Sequence, residues 1–66
     1  MTLTSPKREA RYRQLLQAAL AIFARDGIDG ASVADIAESA GVAKGSVYLY
    51  FDSKDALAGD LVRHLF

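Results

Sequence analysis

Apolar residues recur at three- and four-residue steps through Tyr12, Leu15, Leu16, Ala19, Ile22 and Phe23. That spacing lines one side of an α-helix, so the first third of the chain has to bury a helical stripe. Such a stripe needs partners, and the partners here are short. Gly27 and Gly41 close successive segments, and Gly27 can take the left-handed conformation that ends helices.

Size sharpens the constraint. A chain of 66 residues buries only about 60% of the surface its unfolded form exposes. Cysteine is absent, so no disulfide or thiolate-bound metal adds stability. His64 is the lone histidine and builds no histidine-rich metal site; no cofactor or metal is expected. Hydrophobic residues make up 52% of the chain, many of them alanine, and proline occurs once, at Pro6. Alanine is the best helix former, so the expected fold is all-α: a small bundle of about four helices.

The first helix is expected to start near Pro6 with Ser5 as N-cap, after a flexible tail over residues 1–6, and to end at Asp26-Gly27. Residues 28–31 form a connector. Ser32 then caps a second helix, with Ile36, Ala37 and Ala40 inward and Asp35 and Glu38 outward. Gly41 stops it. A third short helix begins near Lys44, its apolar side carried by Val47, Tyr48 and Phe51. Asp52-Ser53 caps a fourth, whose stripe is Leu57, Leu61, Val62 and Leu65. No stop signal follows that stripe, so the fourth helix reads as truncated and the chain as the head of a longer protein.

Residues 32–51 carry the functional signal. Two short helices joined through a glycine-containing turn make a helix-turn-helix, here of homeodomain-like type. Val42 is expected to pack with Ile36 and Val47 and so fix the angle between the two helices. The second helix of such a pair lies in the DNA major groove, its N-terminal residues against base edges. Lys44 suits a phosphate or a guanine edge, and Ser46 offers a hydroxyl. Gly45 is unfavourable in a helix by about 1 kcal/mol against alanine, and a missing side chain lets backbone approach DNA. Tyr48 and Tyr50 stand two apart on a helix, so at least one phenol is exposed to meet phosphate; Tyr48 is read as partly buried. Lys54 stands in the first turn of a helix, where a cation is disfavoured unless an external anion is near. The hydroxyl of Ser32 lies beside helix N–H groups, which is also a phosphate-binding arrangement. Each has a plainer alternative: solvated lysines, a glycine in a capping region, a core tyrosine, a simple cap. His64 reads as inert.

The net charge is zero, which argues against nucleic acid until the distribution is examined. Residues 1–25 hold Lys7, Arg8, Arg11, Arg13 and Arg25 against Glu9 alone, whereas residues 26–42 hold only acids. One basic face on a neutral molecule is therefore possible, and the cluster at Lys7, Arg8, Arg11 and Arg13 leans toward phosphate contact. No signal peptide and no membrane span is visible, so the expectation is a cytoplasmic protein. No nucleophile–base pair, phosphate loop or metal spacing points to an enzyme. A helix-turn-helix that binds protein instead of DNA is the alternative, and salt dependence separates the two.

Three stretches resemble the TetR family of regulators. They are LLQAALAIFARDG over residues 15–27, SVADIA with AGVAKGSVYLYF over residues 32–51, and DSKDAL over residues 52–57. The resemblance implies a dimeric regulator, usually a repressor, that binds a palindromic operator in double-stranded DNA. It also implies a C-terminal helical domain, absent here, that holds a small-molecule inducer and the homodimer interface, which leaves the isolated head free to be monomeric. By position, Ser32 and Tyr48 match phosphate-contacting residues of the family. Ala43, Lys44, Gly45 and Ser46 match the head of the recognition helix. Tyr50 matches a backbone-contacting position and Lys54 a phosphate-binding lysine. Leu49 departs from the aromatic or polar residue that many members carry, and it suits a thymine methyl.

Overall fold

The computed structural model describes the backbone of residues 6–65 and the side chains of residues 7–64. Four helices follow in order: α1 (Pro6–Gly30), α2 (Val33–Ala40), α3 (Lys44–Tyr48) and α4 (Lys54–Leu65). Pro6 already belongs to α1, one residue inside the expected tail, while the Ser5 cap lies outside the described residues. The described residues carry no strand.

α1 is the spine. It packs against α2 and α4, and α2 in turn packs against α3. Its stripe is buried as the periodicity requires: Leu15, Leu16, Ala19 and Ile22 face the core, with Ala18 added and Tyr12 and Phe23 at its edge. The stripe meets Val33, Ile36, Ala37 and Ala40 from α2, Val47 and Phe51 from the α3 region, and Leu57 and Leu61 from α4. Leu15, Ile36, Leu57 and Val47 are the largest side chains fully withdrawn from water, one from each helix.

The expected stop at Gly27 is present but is not the last helical residue. Gly27 adopts φ 76°, ψ 161°, outside helical space. Residues 28–30 then form one further turn, closed by the Ala31 amide donating to the Ile28 carbonyl at 3.3 Å, and this turn delivers Ala31 into the core. The connector is thus a helical turn, not an open loop.

Ser32 is extended (φ −127°, ψ 158°), and its hydroxyl accepts the Asp35 amide at 3.0 Å. This is the side-chain N-cap that the first turn of α2 requires. Asp35 is half-buried, not fully outward. Gly41 takes φ 73°, ψ 31°, and its amide reaches the Glu38 carbonyl at 3.1 Å. The Val42 amide bonds the Ala37 carbonyl at 2.9 Å, which completes a Schellman closure. Gln14 of α1 donates to the Ala40 carbonyl at 2.6 Å, satisfying another orphan at the same helix end. α4 is capped by Ser53 alone: its hydroxyl accepts the Ala56 amide at 3.1 Å.

Two stripe assignments need correction. Tyr48 is 47% exposed and Val62 is 55% exposed. Each directly follows a buried residue, Val47 and Leu61, and a helix turns about 100° per residue, so the neighbour swings off the core face. The side chain of Leu65 lies outside the described residues.

Candidate nucleic-acid interface

The turn after Gly41 lifts α3 away from the spine. Val42 packs half-buried against the core, and Val47 and Phe51 anchor the inner side of α3. The Ser46 amide closes the first turn on the Ala43 carbonyl at 2.9 Å, and the Phe51 amide reaches the Val47 carbonyl at 3.1 Å. Only one face of α3 is therefore committed to the core.

The outer face carries what the sequence singled out. Ala43, Lys44, Gly45, Tyr48 and Leu49 are exposed, and Ser46 is half-exposed. Leu49 is 72% exposed, the most exposed large apolar side chain among the described residues. Nothing lies within 4 Å of where a Cβ on Gly45 would stand. Internal packing therefore gives no reason for glycine there.

The two tyrosines separate. Tyr48 faces solvent, whereas Tyr50 is half-buried against the core. The Arg8 guanidinium of α1 lies 4.7 Å from the Tyr50 ring centroid, a cation–π contact. Tyr50 in turn tilts against Phe51 with centroids 6.5 Å apart, and Phe51 stacks on Tyr12 at 5.5 Å. A run of rings thus fastens the start of α1 to the segment that follows α3.

Charge is segregated. Arg25 pairs with Asp26 at 2.7 Å, Arg13 with Glu9 at 3.0 Å, and Arg63 with Asp60. Among the described residues Lys7, Arg11 and Lys44 make no ion pair. Lys7, Arg8 and Arg11 line one groove with Ser46, Leu49 and Tyr50. The carboxylate of Asp26 is held below its usual range by the hydrogen bond from Arg25, the larger influence, and by that residue's charge. Neutrality overall therefore coexists with a cationic border along α3.

Lys54 has an internal partner that its sequence position did not reveal. Its Nζ donates to the Ala31 carbonyl at 3.1 Å. That bond ties α4 to the linker before Ser32 and by itself accounts for a cation in this first turn. An ammonium has three N–H donors, so the bond leaves capacity for a second acceptor.

His64 is not inert. Its Nε2 lies 2.9 Å from the Tyr12 hydroxyl, and the two rings meet edge to face. The same hydroxyl donates to Asp60 Oδ2 at 2.8 Å. Burial, then the bond to Asp60, pushes the Tyr12 phenol above its ordinary value. Bonds from Tyr12 and Arg63 hold the Asp60 carboxyl below the usual range. The available signal was the i, i+4 pair Asp60/His64 on α4 opposite a tyrosine in an apolar stripe. This node fixes α4 against α1.

Comparison with known proteins agrees with this geometry. Residues 15–61 match the family model of bacterial regulatory proteins of the tetR family. The chain is 44% identical over 55 residues to an uncharacterized HTH-type transcriptional regulator, YvdT, of Bacillus subtilis, covering 83% of this chain and 28% of that protein. It is 38% identical over 56 residues to the HTH-type transcriptional repressor KstR2 of Rhodococcus jostii, covering 85% and 28%. It is 39% identical over 49 residues to the fatty acid metabolism regulator protein of Bacillus subtilis, covering 74% and 25%. The chain thus spans about a quarter of the length of these relatives.

Proposed function

Because this chain belongs to the TetR family of bacterial regulatory proteins, we propose that it is the sequence-specific, duplex-DNA-binding head of a transcriptional regulator. One observation carries this most: the outer face of the α3 region presents Lys44, Gly45, Tyr48 and Leu49 to solvent, beside a groove lined by Lys7, Arg8 and Arg11. An α-helix enters the major groove, and these side chains have the chemistry of its contents.

Lys44 and Ser46 read base edges or the adjoining phosphates. Leu49 meets a thymine methyl, where its exposure otherwise goes unused. Ala43 and Gly45, lacking bulk, let the backbone of α3 come close. Tyr48 and Tyr50 donate phenolic hydrogen bonds to phosphate. Ser32 keeps its own O–H for a phosphate oxygen while its lone pair caps α2. Lys54 places its remaining N–H groups on the same strand.

At the level of the whole regulator, the likeness to a relative named as a repressor supports a repressor; its action as a homodimer on a palindromic operator in the cytoplasm is part of the same proposal. A C-terminal domain would bind the inducer. Selection from random duplexes tests the reading at this chain's level. The expected result is a recovered motif with binding that weakens steeply from 50 to 200 mM salt, as counterion release requires. A random pool after selection, or binding insensitive to salt, refutes it.

A further inference from the structure

Among the described residues, three cationic side chains and no acid line the groove between α1 and the α3 region: Lys7, Arg8 and Arg11, facing Ser46, Leu49 and Tyr50. Its volume is about 310 Å³. The neighbouring cavity under Tyr50 also contains Arg8 but admits Glu9, which pairs with Arg13. Arg13, which pairs with Glu9, lies outside the groove, and Lys7 and Arg11, which make no ion pair among the described residues, lie inside it. The groove is also held in shape. Arg8 stacks on Tyr50, and Tyr12 stacks on Phe51 of the following position, so the start of α1 keeps a fixed station relative to Ser46.

We propose that Lys7 and Arg11 form a second DNA-contacting site, each taking one of two backbone phosphates of the strand bordering the major groove that α3 occupies. The inference rests on the DNA-binding reading above and extends it to a different helix. Charge complementarity names the occupant: a rigid, acid-free, doubly cationic groove continuous with the base-reading face accepts the strand running past that face. Arg8 is a positioning residue here, since its guanidinium braces Tyr50. The site carries no sequence information, because phosphate contacts set register and orientation while base edges are read by α3.

The test compares the chain with Lys7→Ala/Arg11→Ala and with Arg13→Ala/Arg63→Ala, which changes net charge equally at cations already paired to acids. Binding is measured by fluorescence anisotropy on the selected duplex and on an unrelated duplex of equal length, from 50 to 200 mM KCl. Each lost phosphate contact removes roughly 0.9 from the slope of log affinity against log salt, so the first variant loses about 1.8. At 0.1 M salt that is up to about eightfold in affinity per contact, alike on both duplexes, with the preference ratio unchanged. An unchanged slope, an equal fall in the control variant, or an altered preference ratio overturns the proposal. Failure of the unsubstituted chain to bind any duplex defeats the underlying reading first, and is distinguishable from all of these.

Discussion

Gly45→Ala sets two consequences of the structure against each other. Gly45 is helical, exposed and free of neighbours within 4 Å of a built Cβ. An alanine there meets no clash and needs no change of backbone. It restricts the unfolded chain and favours the helix, for a gain of about 0.5–1 kcal/mol. A domain of this size shifts by roughly 4–8 °C per kcal/mol, so the midpoint rises by about 2–8 °C. The same methyl group projects from the face assigned to the major groove. It pushes the α3 backbone off the bases, and a weakening of tenfold or more is expected, about 1.4 kcal/mol. Thermal melts followed by circular dichroism and anisotropy titrations on the selected duplex measure both. Stabilisation with unchanged or tighter binding refutes the close approach of Gly45 to DNA, and leaves it a glycine tolerated at a helix start.

The other two structural glycines carry the opposite sign. Gly41→Ala forces an L-residue into φ 73°, ψ 31°, costing about 1–2 kcal/mol without any clash; Gly27→Ala, at φ 76°, ψ 161°, enters a region essentially reserved for glycine and costs about 1–3 kcal/mol. Melts in which either variant is as stable as the parent would contradict the positive φ at that position. Lys54→Met removes the bond to the Ala31 carbonyl and lowers stability by about 1 kcal/mol, and it also lowers the salt slope of DNA binding by roughly 0.9. Loss of stability with an unchanged slope assigns Lys54 to the fold alone. Asp60 is held below its ordinary value, so its folded form binds a proton less readily than its unfolded form. Its contribution is present above about pH 4 and is lost as pH falls further. Asp60→Asn therefore melts lower than the parent near pH 7, by about 1 kcal/mol, and the two converge in acid; melts across pH 2–7 that stay equally separated would exclude the Tyr12–Asp60–Arg63 arrangement.

Local signals were legible because their causes are local. The stripe of α1, the Ser32 and Ser53 caps and the helix stop at Gly41 each follow from residues within one or two turns. Tyr48 was misplaced because α3 spans only Lys44–Tyr48, too short for periodicity to separate Val47 from its neighbour. Val62 failed for a related reason: Leu57 and Leu61 already fill the core side, and a third adjacent apolar residue has no room there. Contacts of long range left little local trace. The Tyr12 hydroxyl meets residues 48 and 52 positions away, and Lys54 reaches back 23 positions to Ala31. The basic cluster near the start of α1 was visible as composition, but its place beside Ser46 and Tyr50 depends on the packing of α1 along the whole bundle.

Amide chemical-shift mapping of the chain during titration with the selected duplex asks most directly which surface meets DNA. The largest changes should fall on residues 43–50, with smaller ones at Ser32, Lys54 and the opening turns of α1. Quiet resonances there, together with shifts gathered around residues 20–30 or the outer side of α4, would contradict the assignment of α3 to the major groove.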